Sequence, residues 1–594
     1  MRYITTLIIV LFLASNAKAQ APEGESWDKN ISGKEHPNIQ WFKDAKFGLF
    51  IHWGLYSAAA GEWQGKNNYG ISEWLMNTAR IPAKDYATLA NNFNPVGFNA
   101  AQWVKQAQGF GVKYMVVTAK HHEGFAMFKS NVSDFNIVDG SPYHKDPMKA
   151  LSTEAHKAGL RFGFYYSQFV DWHEPNGGRN NWDFDETKKD YQAYYRTKAI
   201  PQLKELLKNY GPLDIIWFDQ AGGMTPQQTQ ALIDSARKLQ PGTLLSSRIG
   251  NGLGDFKDFG DGEVPALPVK GAWEALFTHN DSWGYTKFDH NFKTSAEIVH
   301  LLATVASKGG NLILNVGPDG NGKFPEFSVR YLTEVGNWLK INGASIYGST
   351  YGLIAPQPWG VSTAKPGKLF LHVFNKPTNG QIVVPNISDH IISAYRLDNH
   401  RPLTFVKKGT DILINAAAMP ANADAVIVVN YKGKIKDAGP NAPTIVSYQY
   451  PQYNIEAAYT NTFGKASAKA IVSSNYHGDW KHNTCITAMA TPADSANFKM
   501  RVTEPGDYKI SLEYACDEKS KGQEGTLTVL GKDYNFLTLR TSADYDTHKP
   551  GLFIKHTIAI ASIKKPGTYS ISIKPYTSAT ELFKLKTIVI EPVK

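Results

Sequence analysis

From about residue 40 to residue 345, short apolar runs alternate with stretches whose apolar residues recur at helical spacing. The runs are Phe47–His52, Tyr114–Thr118, Arg161–Tyr166, Leu213–Phe218, Thr243–Ser247, Trp273–Phe277 and Asn311–Val316. Helical patterns fall between them at Asn99–Gln108, Asp146–Ala158, Ala199–Lys208, Pro226–Leu239 and Ser295–Ser307. The second carries its own punctuation, with Asp146 as N-cap, Pro147 in the first turn and Gly159 just past the end. Strand and helix in strict alternation dictate a parallel sheet wrapped by helices. Seven such runs over ~300 residues favour a (β/α)8-like barrel over an open doubly wound sheet. The eighth strand has no apolar signature, so the barrel is expected to be irregular.

After Gly348 the texture changes to short β-like segments broken by Pro, Asn and Gly, such as Leu369–Phe374 and Ala425–Asn430. A Lys-, Gly- and Pro-rich stretch, Lys432–Pro443, reads as a linker, and a second β region follows it. The N-terminus has a different character. Met1-Arg2, an apolar run from Ile4 to Ala14 broken only by Thr5 and Thr6, and Ala17-Lys18-Ala19 make a secretory signal peptide cleaved after Ala19. No Cys follows it to carry a lipid anchor, and no later stretch reaches the ~18 apolar residues that a membrane span needs. The expected fold class is therefore α/β: a signal peptide over 1–19, a catalytic (β/α)8-like barrel over 20–348, an all-β sandwich over 349–435, and over 436–594 a linker and a second sandwich of carbohydrate-binding type. The expected location is secreted or periplasmic, with no membrane contact after cleavage.

The formal net charge of +10 raises nucleic acid as a partner, but 63 Lys and Arg are interspersed with 53 Asp and Glu and form no dense basic run. No GxGxxG follows the first strand and no GxxxxGK[ST] occurs, which speaks against a nucleotide cofactor. The two cysteines, Cys485 and Cys516, lie far from every polar cluster, either paired or as buried thiols. Aromatic residues make up 12% of the chain, enough for large cores or for rings that stack on a ligand.

In a parallel barrel, reactive residues collect where strands end. The successive strand exits read His52-Trp53, Lys120-His-His-Glu123, Tyr165-Tyr166 followed by Asp171-Trp-His173, Trp217-Phe-Asp219, Arg248, and His279-Asn-Asp281 with Trp283. One strand-end Asp is readily a helix cap; the recurrence of carboxylates, histidines, an arginine and tryptophans on one rim is not so explained. Adjacent His121 and His122 point to opposite faces of any continuing strand, and no HExxH occurs, so no metal is expected. No GxSxG elbow presents a serine nucleophile. Glycoside hydrolysis fits, because it needs two carboxyl groups and aromatic platforms. Asp219, held against the apolar run Ile215–Phe218, suits a nucleophile. The second carboxyl is Glu263, on the Gly-rich loop Gly260–Pro265, or Glu274, beside Trp273.

Six motifs, in order over residues 36–350, carry a more specific likeness: Phe47-Gly-Leu-Phe-Ile-His-Trp-Gly54, Ser72-Glu-Trp74, Lys120-His-His-Glu-Gly-Phe125, Tyr165-Tyr-Ser167, Asp214-Ile-Ile-Trp-Phe-Asp219 and Asn311-Leu-Ile-Leu-Asn-Val-Gly-Pro318. Together they resemble the α-L-fucosidases of glycoside hydrolase family 29. The resemblance implies a retaining exo-hydrolase that removes terminal α-L-fucose from a fucosylated oligosaccharide or glycoconjugate through a covalent fucosyl-enzyme, with no cofactor. It implies Asp219 as nucleophile; His52, His121, His122, Glu73 and Trp74 as sugar ligands; a tyrosine, Tyr165 or by preference Tyr166; and Trp217, Arg248 and Trp283 around the sugar. Trp53 is a further candidate for the apolar wall that a 6-deoxy sugar requires. The acid/base is Glu263, with Glu274 as the alternative. In the last region, Tyr450, Tyr453, Tyr476, Trp480 and His482 form either a ligand platform or an aromatic core. Two other functions stay open: a non-catalytic sugar-binding protein on a barrel scaffold, and a barrel hydrolase for another sugar such as L-galactose.

Overall fold

The computed structural model describes residues 26–27, 35–387, 391–419, 424–433, 435, 443–472, 482–541, 552–578 and 580–593. Residues 1–19, expected to be a signal peptide, most of the expected linker, Tyr476 and Trp480 lie outside the described residues.

Eight parallel strands form one sheet: β1 (Phe47–Ile51), β2 (Tyr114–Lys120), β3 (Arg161–Tyr166), β4 (Ile215–Phe218), β5 (Leu244–Leu245), β6 (Lys257–Asp261), β7 (Trp273–Thr278) and β8 (Asn311–Val316). Each pairs with its neighbour in chain order except β5 and β6, and β8 returns to β1. Between β5 and β6 a single parallel bridge, Ser246–Phe256, spans the seam. β1, β2, β4, β7 and β8 are buried along their whole length, which is why their sequences read as continuous apolar runs. Six helices follow the strands outside: α1 (Ala100–Phe110), α2 (Pro147–Lys157), α3 (Ile200–Asn209), α4 (Pro226–Leu239), α5 (Ser295–Ser307) and α6 (Glu326–Asn342). Asn99 and Asp146 cap α1 and α2 by accepting backbone N–H groups three residues on, and Thr225 and Thr294 close capping boxes on α4 and α5.

Strand alternation divides the apolar residues into two layers. Leu49, Ile51, Val117, Phe164, Tyr166, Ile216 and Phe218 point outward into the helix-facing core. Phe50, Val116, Tyr165, Trp217, Leu276 and Ile313 fill the barrel interior.

The strand missing from the apolar pattern is β6, Lys257-Asp-Phe-Gly-Asp261, in which only Phe259 is buried. Its register against β7 shifts: Glu274 faces Asp258, whereas Leu276 faces Asp261. Three β6 residues thus match two on β7, a bulge that turns Asp261 inward where plain alternation would have placed Gly260.

Beyond the barrel the regular structure of the described residues is β apart from one short helical turn, Ala457–Tyr459. Residues 350–431 supply a six-stranded and a three-stranded sheet, and residues 444–592 two six-stranded sheets. One apolar cluster, from Ile354 to Ile590, runs through both regions. Cys485 and Cys516 are buried free thiols. Tyr450 and Tyr453 belong to this core, so they pack rather than form a platform. Among the described residues no helix is long and apolar enough to cross a membrane.

Candidate active site

A cavity of about 350 Å³ opens at the C-terminal ends of the strands, lined by Phe50, His52, Ile71, Glu73, Trp74, His121, Tyr165, Trp217, Asp219, Gln220, Arg248, Asp261, Leu276 and Trp283. At its floor Asp219 continues the inward parity of Ile215 and Trp217, and the chain turns at once, with Gln220 at φ 52°. The backbone N–H of Asp219 donates to Gln168 Oε1 at 3.0 Å, and Gln168 Nε2 donates to the Arg248 carbonyl at 3.0 Å. Gln168, which no sequence motif singled out, therefore ties the ends of β4 and β5 together.

Both oxygens of the Asp219 carboxylate are engaged. Tyr165 donates its hydroxyl to Oδ2 at 2.9 Å, and Arg248 Nη1 donates to Oδ1 at 3.2 Å. The other Arg248 nitrogen, Nη2, donates to Asp261 Oδ1 at 2.6 Å. One guanidinium thus holds two carboxylates from different strands side by side over the cavity. Burial pushes the Asp219 carboxyl above its usual range, Arg248 pulls it back, and Asp261 adds to the push.

Two of the histidines, His52 and His122, are held as neutral acceptors. His52 Nδ1 meets Asn315 Oδ1 at 2.7 Å, while Asn315 Nδ2 is committed to the Trp283 carbonyl at 2.7 Å. Nδ1 of His52 is therefore the protonated nitrogen and Nε2 carries the lone pair. Burial depresses its pKa to about 4. Ser167 Oγ donates to the Val170 carbonyl at 2.7 Å, so it accepts from His122 Nδ1, also at 2.7 Å. His122 Nε2, left without a proton, lies 3.5 Å from Asp219 Oδ2. Burial holds His121 and His122 well below the ordinary histidine range. His121 stacks on Tyr165 at 5.1 Å between ring centres, and its buried Nδ1 has no protein partner. Glu73 behaves oppositely. Burial pushes it up to about 8, one oxygen accepts from the Gly284 N–H at 2.9 Å, and the other has no protein partner. A carboxyl raised in this way, with one oxygen open to the cavity, is suited to donate a hydrogen bond.

His121, His122 and Asp219 present ligand atoms within 4.8 Å of one another, a spacing compatible with a metal ion. The donor set fits one poorly: the Arg248 cation already occupies Asp219 Oδ1 and Tyr165 occupies Oδ2.

Lys120-His-His-Glu-Gly-Phe125 owes its form to what surrounds it. Glu123 accepts from the Leu55 and Tyr56 N–H groups at 2.8 and 3.2 Å and from the Tyr86 hydroxyl, fastening the exit of β1 to that of β2. Gly124 has φ 84°, and a Cβ there would sit 2.3 Å from Asp171 Oδ1. Asp171 in turn pairs with Lys120 and Lys198, both at 3.1 Å.

Four expectations need correction in their placement. The tyrosine facing the cavity is Tyr165, stacked on Trp217 at 5.6 Å; Tyr166 points outward and bonds Gln202 at 3.0 Å. Trp53 is core, stacked on Phe98 at 5.1 Å. Glu263 does not reach the cavity, because its carboxylate folds back onto the Gly260 N–H at 2.7 Å. Glu274 is fully buried one layer beneath, on the same face of β7 as Leu276, and accepts from Tyr114 at 2.7 Å and Trp217 at 2.6 Å. The carboxyl groups that line the cavity are Asp219, Asp261 and Glu73. Asp261 was hidden from the sequence because its strand was.

The family model described as alpha-L-fucosidase matches residues 11–344. Human plasma alpha-L-fucosidase is 32% identical over 370 residues, covering 58% of this chain and 77% of that protein. An alpha-L-fucosidase structure from Vibrio sp. strain EJY3 superposes with a TM-score of 0.76 at 29% identity, covering 93% of this chain and 97% of that one. A GH29 alpha-L-fucosidase from Bacteroides thetaiotaomicron, trapped as a covalent intermediate with 2-fluoro-fucosyl fluoride, superposes with a TM-score of 0.61 at 27% identity, covering 69% of this chain and 98% of that one. This chain belongs to the α-L-fucosidase family, glycoside hydrolase family 29.

Proposed function

We propose that the protein is a secreted retaining exo-glycosidase that releases terminal α-L-fucose from fucosylated glycans, with Asp219 as nucleophile and Asp261 as acid/base. The observation that carries this reading is the Arg248 guanidinium joining Asp219 to Asp261 in the wall of the cavity. Retention needs two carboxyl groups ~5–5.5 Å apart, one to attack and one to protonate. Asp219, kept anionic by Arg248 and steered by Tyr165, attacks the anomeric carbon. Asp261, on the more open side, protonates the departing oxygen and then takes a proton from the water that hydrolyses the ester. Neutral His52 and His122 accept hydrogen bonds from sugar hydroxyls, and protonated Glu73 donates one. Phe50, Ile71, Leu276 and Trp283 give an apolar wall that suits the methyl group of a 6-deoxy sugar.

Asp219→Ala tests the reading. The variant should keep its fold and lose turnover of an aryl α-L-fucoside by at least about 10³-fold, the scale of removing a covalent nucleophile. Near-normal activity would sink the assignment. Labelling with 2-fluoro-fucosyl fluoride and peptide mapping should place the adduct on Asp219. Secretion rests on the N-terminal signal pattern, and sequencing the exported protein should give Gln20 as the first residue.

A further inference from the structure

The segment carrying Asp261 is gripped from outside the barrel. β9 (His482–Thr487) belongs to the C-terminal β region, and its first residue reaches the barrel rim. The His482 N–H donates to the Gly262 carbonyl at 3.3 Å. Its ring Nδ1 lies 3.2 Å from the Asp261 carbonyl. A carbonyl can only accept, so Nδ1 carries the proton and donates. On the barrel side Glu263 closes the same turn, accepting from the Gly260 N–H at 2.7 Å while its own N–H donates to the Gly260 carbonyl at 3.0 Å. The turn has no slack: a Cβ on Gly260 would lie 2.6 Å from Glu263 Oε2 and 2.9 Å from the His482 ring. A few residues on, Lys308 of the barrel donates to the Ala266 carbonyl and, at 3.2 Å, to the hydroxyl of Tyr459 in the C-terminal region.

We propose that His482 is a positioning residue for catalysis: through the Asp261 carbonyl, the C-terminal β region fixes the bulged end of β6 so that the Asp261 side chain stays on Arg248 and aimed at the leaving oxygen. This inference rests on the reading of Asp261 as acid/base. A general acid supplies ~10²–10⁴ in rate only when held within hydrogen-bond reach of the atom it protonates. A misplacement of about 1 Å costs on the order of 10²-fold. Glu263, expected from its loop position to be the acid itself, belongs to the same clamp.

The test exploits the fact that a poor leaving group needs the acid and a good one does not. kcat/KM, which reports the glycosylation step, is measured in the full-length protein on a chloronitrophenyl α-L-fucoside and on a fucosylated oligosaccharide. His482→Ala and His482→Phe should lose about 10- to 100-fold on the oligosaccharide and stay within about threefold on the aryl fucoside, where little proton donation is required. Phe keeps the bulk of the ring and serves if the alanine variant is unstable. His482→Asn, whose amide N–H can stand in for Nδ1–H, should recover most of the loss. Equal losses on both substrates, or no loss on either, overturn the proposal. Asp261→Asn is run alongside. If it retains oligosaccharide activity, the acid/base reading itself fails; if it loses that activity while the His482 variants do not, only the role of His482 fails.

Discussion

Tyr165 donates its hydroxyl to Oδ2 of Asp219 at 2.9 Å, across two adjacent strands that place Tyr165 opposite Trp217. This bond orients one carboxylate oxygen and leaves the other to Arg248. Tyr165→Phe should keep the stack on Trp217 and lower kcat by about 10- to 100-fold, the scale of one charge-assisted hydrogen bond of ~1.5–3 kcal/mol. Tyr166→Phe removes a buried bond to Gln202 instead, and should lower stability by about 1–2 kcal/mol with kcat unchanged. Steady-state kinetics and thermal melts on the pair check both; a larger kinetic loss in the Tyr166 variant would reverse the placement.

Azide separates the candidate acids. Asp261→Ala with a good leaving group should accumulate the fucosyl-enzyme, and azide should restore turnover by attacking it, giving the α-fucosyl azide with retained configuration. Asp219→Gly, in which azide replaces the nucleophile, should give the inverted β-azide. Glu263→Gln keeps an acceptor for the Gly260 N–H and should need no rescue. Glu274→Gln leaves Tyr114 and Trp217 one acceptor between them and should cost about 1–3 kcal/mol of stability, again with no azide adduct. NMR of the azide products decides.

What was legible in the sequence follows from which side of the chain faces what. β1, β2, β4, β7 and β8 are buried on both faces, so their apolar runs announced the barrel. The capped helices were legible because Asn99, Asp146, Thr225 and Thr294 satisfy their own first turns. Tyr165 could have been chosen over Tyr166 by parity, since Asp219, Trp217 and Ile215 share one face of β4 and Tyr165 pairs with Trp217. β6 was illegible for two reasons: its residues are mostly charged or glycine, and a bulge brings Asp258 and Asp261 to one side where plain alternation would have aimed them to opposite faces. The sequence therefore pointed to Glu263, two residues past Asp261, the carboxyl that lines the cavity.

Gly124 tests the support beneath the histidines. Its φ of 84° suits glycine, and a Cβ would overlap Asp171 Oδ1. That carboxylate is fully buried and balances Lys120 and Lys198, so it cannot yield without leaving a buried cation unpaired. Gly124→Ala should destabilise the protein by about 3 kcal/mol or more and, because His121 and His122 precede it, raise KM as well. Denaturant unfolding of the variant measures the first effect, and substrate titration at a temperature where it stays folded measures the second.

Glu73 predicts an alkaline loss of stability. Burial is the main cause that pushes its carboxyl up to about 8, with the Gly284 N–H opposing and Asp261 and Asp219 adding. In the unfolded chain a glutamate titrates near ~4.3. Between those values the folded state holds a proton that the unfolded state has released, so stability falls as pH rises and is fully present only below the unfolded value. His52, depressed to about 4, has the opposite sign but acts only below the ordinary histidine value of ~6.5. Glu123, pushed up to about 7 by burial, acts in the same sense as Glu73. From pH 6.5 to 7.5 Glu73 should therefore contribute a decline of up to about 1.4 kcal/mol per pH unit. Glu73→Gln keeps an acceptor for Gly284 and a donor in place of the carboxyl proton, so its stability should fall less steeply than that of the wild type over the same range. Melts at closely spaced pH values on the two proteins measure the difference in slope; parallel lines would mean that Glu73 is already ionised in the folded protein.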